Sequence, residues 1–147
     1  MTELEQLLDQ LQRSGEQVRA TQLSALSEVD SSELATLERT WPRIPASRRR
    51  AIVEMMNEIA EDNVDFNFEG AFRTFLTDED PVVRLRAIEG LWECGDPKLI
   101  DRLFSILRSD PEERIRSAAA TALGRFVLLG QLGELRQRYV MQLEAGL

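Results

Sequence analysis

Between Ser47 and Ala60 the apolar residues fall at Ala51, Ile52, Met55, Met56, Ile59 and Ala60, a spacing that closes on one face of a helix, and Arg48, Arg49, Glu54 and Glu58 take other positions. Phe68, Ala71, Phe72, Phe75 and Leu76 repeat the spacing, and no stretch alternates with the period of two that a strand requires. Asp80-Pro81, Asp96-Pro97 and Asp110-Pro111 each set a capping carboxylate before a proline whose fixed φ suits the first helical position. These signals predict helices near 47–60, 68–76, 81–93, 97–108 and 111–128, with a weaker one near 131–145. Gly95 stands where the end of the 81–93 helix calls for a residue tolerant of positive φ. Upstream, Leu4, Leu7, Leu8 and Leu11 mark an amphipathic helix opened by Thr2 and Glu5. The stretch 16–26 reads as helical, and a further helix near 32–39 ends at Trp41-Pro42.

The pattern repeats. Asp78, Arg84, Ala87 and Leu91 recur as Asp110, Arg116, Ala119 and Leu123, thirty-two residues later, and Arg48, Arg50, Ala51 and Ile52 match Arg84, Arg86, Ala87 and Ile88. A two-helix unit of this length cannot bury both faces of its helices alone, so successive units must stack around a shared core. The expected stripe on 81–93 is Val83, Ala87, Ile88 and Leu91, widened by Leu85 and Trp92. The division this predicts is an N-terminal helical cap over 1–40 and three repeats near 44–76, 80–108 and 110–145.

Composition narrows the function. Eighteen basic against 26 acidic residues give a net charge of −8, which repels polyanions and anionic lipid and disfavours a nucleic-acid partner. Histidine is absent, which removes Ser-His and Cys-His nucleophile pairs and histidine metal sites. The lone cysteine, Cys94, lies between Glu93 and Asp96, whose charges disfavour a thiolate. The acidic groups Glu61-Asp62-Asp65 and Asp78-Glu79-Asp80 lack the ligand order of a calcium loop and read as acidic inter-helix turns. Arg48-Arg49-Arg50 falls in the first turn of a helix, where cations are unfavourable unless carboxylates compensate them. With no basic leader and no long apolar run, the expectation is no signal peptide, no membrane contact and a cytoplasmic location.

The runs PVVRLRAIEGLW and DPEERIRSAAATALGRF resemble HEAT repeats of the short bacterial type associated with phycobilin lyases. The second carries the motif as Asp110, Pro111, Ile115, Arg116, Ala119, Ala120, Ala122, Leu123 and Gly124. The first carries Asp80, Pro81, Val83, Arg84, Ala87, Ile88, Gly90 and Leu91, with Asp-Pro two residues closer to the arginine than the motif has it; the unit at 45–55 is degenerate, with Ser47 in place of valine. The resemblance covers about 77–126 well and the first forty residues not at all. It implies an all-α, short right-handed α-solenoid of HEAT-like hairpins serving as a non-catalytic scaffold for another protein, without cofactor or metal. It also implies that the repeated arginine binds an aspartate or carbonyl of a neighbouring repeat.

The expected partner surface lies on the second helices: Glu69, Arg73, Asp101, Arg102 and Ser105, beside the equivalent aromatics Phe72 and Phe104. Apolar residues in excess at the C-terminal end, Leu132, Leu135, Tyr139 and Leu143, lead us to expect a homodimer there. The alternative is a phycobilin-lyase-like subunit in which Trp92 and Phe66, Phe68, Phe72 and Phe75 line a tetrapyrrole pocket. Nucleic-acid binding through Arg48-Arg49-Arg50 is the lesser alternative.

Overall fold

The computed structural model describes residues 2–13, 15–131 and 137–146, with the side chains of 131, 137 and 138 left out of the description. Among the described residues it is all-α and contains no strand, as the periodicity predicts. Two compact units divide it, Met1–Leu91 and Trp92–Leu147.

The first unit begins with α1 (Glu3–Arg13), whose Thr2 Oγ1 accepts the Glu5 N–H at 3.1 Å and whose four leucines, Leu4, Leu7, Leu8 and Leu11, are all buried. Glu16 to Leu26 is not an α-helix. Its second half, Ala20–Leu26, winds as a 3-10 helix in which Ser24 Oγ donates to the Thr21 carbonyl, the local side-chain competition that weakens α-helix in Ser/Thr-rich sequence. A reciprocal capping box between Asp30 and Glu33 starts α2 (Ser31–Thr40), and a 3-10 turn at Trp41–Arg43 passes the chain to α3 (Ala46–Asp62).

The buried seam of α3 is Arg49, Ile52, Val53 and Met56. Ala51 is exposed, and Met55 and Ile59 form a second, half-buried line, so the apolar face is rotated from the one expected, with Val53 taking the place given to Ala51. After it come α4 (Glu69–Phe75) and α5 (Pro81–Gly90), with α5 packed on both α3 and α4. Asp80 caps α5 by accepting from Val82 and Val83 N–H at 2.9 and 3.2 Å. The helix ends at Gly90, earlier than expected, where Leu91 N–H folds back to the Ile88 carbonyl. Trp92 therefore falls past the helix and is 59% exposed instead of widening its stripe, while Val83, Ala87, Ile88 and Leu91 are buried.

The second unit contains α6 (Leu99–Ser109), α7 (Glu113–Gln131) and α8 (Gln137–Gly146), with α7 packed on both others. Asp96 and Asp110 hold their turns by accepting from Lys98 N–H at 3.0 Å and Glu112 N–H at 2.9 Å, and each helix then begins two residues beyond the proline. Gly95 does not take a positive φ; among the described residues the left-handed non-glycine position is Glu28, at φ 53°. The α7 helix runs through Gly124 and Gly130, so neither glycine interrupts it.

Candidate functional site

The three consecutive arginines are drawn into structure. Arg49 Nε and Nη2 donate to the Asp78 carboxylate at 3.0 and 3.1 Å, and Trp41 Nε1 donates to the same carboxylate at 2.7 Å. Trp41 also stacks on Phe75 with ring centroids 3.9 Å apart. Arg50 donates from Nε and Nη2 to Asp80 Oδ2 at 2.8 and 2.5 Å. That pair holds the Asp80 carboxyl below its ordinary pKa, burial opposing the shift and the Val83 and Val82 N–H groups adding to it. Arg48 reaches instead to the Glu16 carbonyl and ties the segment ahead of the 3-10 helix to α3. The Asp78 and Asp80 carboxylates are thus buried anchors, both under a tenth exposed, and the Arg49–Asp78 pair is buried on both sides whereas the Arg50 guanidinium is half-exposed.

The repeated arginine binds carbonyls, but of its own helix start and not of a neighbouring repeat. Arg84 Nη1 donates to the Asp78 and Glu79 carbonyls at 2.9 and 3.0 Å, and Arg116 Nη1 donates to the Asp110 carbonyl at 2.6 Å. Both bind the turn heading their own helix, six residues back. In α3 the buried arginine is Arg49, which donates to the Ile44 carbonyl, one position after the Arg48 of the sequence match.

Of the expected partner residues, Glu69 is exposed and Arg73 half-buried on α4 of the first unit; Asp101, Arg102 and Ser105 are exposed on α6 of the second. On α6 they stand opposite a buried stripe of Leu99, Ile100, Leu103 and Phe104. A cleft of about 470 Å³ is lined by Lys98, Asp101, Tyr139 and Gln142, with Gln142 Nε2 donating to Asp101 Oδ1. Asp101 and Tyr139, assigned to two different surfaces from sequence, therefore meet at one place. Leu143 is 2% exposed, and the large apolar residue that α8 turns outward is Met141, at 59%. Leu132 and Leu135 lie outside the described residues.

Among the aromatic residues proposed for a flat ligand, Phe68, Phe72 and Phe75 are core and Phe66 is half-buried. Cys94 is buried, its carbonyl accepting from Arg125. Among the described residues no group of acidic or thiol side chains could hold a metal ion, and no helix is long and apolar enough to cross a membrane.

Helical hairpins with a recurrent Asp-Pro cap and a carbonyl-binding arginine define a class of all-α repeat protein. Residues 71–142 match the family model for HEAT repeats, so the helical repeats of that segment are HEAT repeats. No curated protein and no solved structure matches the chain. HEAT repeats are commonly protein-interaction scaffolds and generally not enzymes.

Proposed function

We propose that the chain is a non-catalytic module that binds another protein through polar residues of its second helices, Glu69 and Arg73 on α4 and Asp101, Arg102 and Ser105 on α6. The observation that carries this reading is the division of α6: its apolar stripe is spent on the core, and its outer face, charged and hydrogen-bonding, adjoins the Lys98–Tyr139 cleft. A photo-crosslinking residue at Ser105, compared with one at the exposed Thr121 of α7, tests it in the native cell. Adducts to a single protein from Ser105 and none from Thr121 support the assignment; equal yields from both positions sink it.

Self-association through the C-terminal end belongs to the same proposal, through Tyr139 and the exposed Met141 of α8, since the expected Leu143 is buried. Sedimentation at micromolar concentration should show a dimer that Met141→Glu converts to monomer. A monomer of the unaltered chain overturns it.

A further inference from the structure

The half-buried line of α3, Met55 and Ile59, is not used by the core. It lines an open groove of about 800 Å³ within the first unit, together with Val18, Ala20 and Phe66. The walls are fixed: Arg48 holds the 15–19 segment through the Glu16 carbonyl, and Phe66 stacks on buried Phe68 with centroids 5.5 Å apart. Loop 63–68 is pinned as well, since Glu28 N–H donates to the Asn67 carbonyl at 2.8 Å and Asn67 N–H donates to Ser27 Oγ. A pre-formed apolar groove loses little entropy on binding.

Its rim has one sign of charge. Glu58 and Asp62, four residues apart on α3, both line the groove and are exposed, and no lysine or arginine is among the lining residues. Both lie toward the C-terminal end of α3, whose last turn carries no basic residue, so a cation brought there meets carboxylates and the negative helix end together. Two apolar residues and two carboxylates, each pair at i,i+4 spacing, are the complement of an amphipathic helix with one apolar stripe bordered by lysine or arginine.

From this we infer that the groove between the 3-10 helix and α3 docks a basic amphipathic helix of a partner protein, at a site separate from the polar faces of α4 and α6. The net charge of −8 works in the same direction by raising the encounter rate with a cationic segment. The inference goes beyond the proposed second-helix surface and stands if that surface proves inert.

The test uses the full chain and a fluorescein-labelled synthetic helix of leucine and lysine, about four turns long, with a leucine and glutamate counterpart. Fluorescence anisotropy should give binding of the lysine peptide at least about tenfold tighter than the glutamate peptide, with amide shifts concentrated at Val18, Ile59 and Phe66. Glu58→Lys with Asp62→Lys should reverse the preference, whereas Glu112→Lys with Glu113→Lys, an equal charge change in the second unit, should leave its order intact. Ile59→Ser should weaken the lysine peptide without altering the helical circular dichroism. Reversal by both double variants would show attraction to net charge alone and overturn the inference, as would shifts scattered outside the groove. A dimer of the unaltered chain that Ile59→Ser abolishes would make the occupant a second copy and overturn it equally. Silence at Ser105 in the crosslinking experiment bears on the other surface, since the peptide needs no native partner.

Discussion

The first unit, beside arginines that end on carbonyl oxygens (Arg48 and Arg84), contains an ionic clasp that sets it apart from the arginine contacts described in the second. In the first, Arg49 and Arg50 end on the carboxylates of Asp78 and Asp80, and Arg86 bridges Glu54 and Glu89. In the second, Arg116 and Arg125 end on carbonyl oxygens, and Arg108 and Arg125 lie over the faces of Phe104 and Phe126 at 5.0 and 4.7 Å. A carbonyl or ring face keeps its character at any pH, but a carboxylate can be neutralised. Removing one carboxylate also strands its buried cation. The lesson is that α3, whose start lacks the Asp-Pro pair that heads α5, is secured by an ionic clasp to the turn ahead of α5.

The largest expected effect breaks that clasp. Asp78→Ala leaves the buried Arg49 guanidinium and the Trp41 indole N–H without their carboxylate and should cost about 3–5 kcal/mol, in the range of a broken buried ion pair. Arg116→Ala in the second unit removes a charged donor from a carbonyl and should cost about 1.5–3 kcal/mol. Urea unfolding measures both; equal losses would remove the distinction between the units.

A smaller effect concerns the two phenylalanines that recur thirty-two residues apart. Phe72 of α4 lies against Gly90 of α5, and Phe104 of α6 against Gly146 of α8; a methyl at either glycine would come within 2.5 Å of the ring. Gly90→Ala should destabilise the first unit by about 1–2 kcal/mol, the overpacking cost less the gain in helix propensity. Gly146→Ala sits in the last turn of its helix, where the backbone can yield, and should change thermal stability less. A larger loss at Gly146 would reverse the order.

The smallest effect is on acid stability. Asp80 has a folded pKa below its ordinary one, chiefly through its hydrogen bond to Arg50, so its contribution is present above the ordinary carboxylate value and disappears as pH falls through the lowered one. Asp80→Asn keeps a capping oxygen and removes the titration. An acid titration followed by circular dichroism should therefore show the unaltered chain converging on the variant as pH falls. A constant gap between the two curves across that range would contradict the assignment.

Much of this was legible because helix period and cap chemistry are local. The stripe Val83, Ala87, Ile88 and Leu91, the four leucines of α1 and the Asp80-Pro81 start follow from neighbours within one turn. The arginine compensation was legible only as a requirement, since Asp78 lies 29 residues from Arg49 and nothing near either names the other. The seam of α3 was set one position off because Ala51 and Val53 are both apolar, and packing against α5 decides between them. Trp92 was read as part of a stripe that the helix end at Gly90 cuts short. The groove at α3 is not legible for a related reason: Met55 and Ile59 have the spacing of core residues, and the structure leaves them half-buried beside the start of the 3-10 segment.

One consequence concerns how the chain can be watched. Its single cysteine is buried in the second unit, and of its two tryptophans Trp41 is buried in the first while Trp92 stands in solvent. The protein therefore carries a built-in pair of clocks. Thiol labelling of Cys94 can proceed only as fast as the second unit opens. Trp41 emission, once Trp92 is replaced by phenylalanine, records loss of the stack on Phe75 in the first. Should Asp78→Ala accelerate the tryptophan signal and leave the labelling rate alone, the two halves breathe separately; a common acceleration would mean that they open as one.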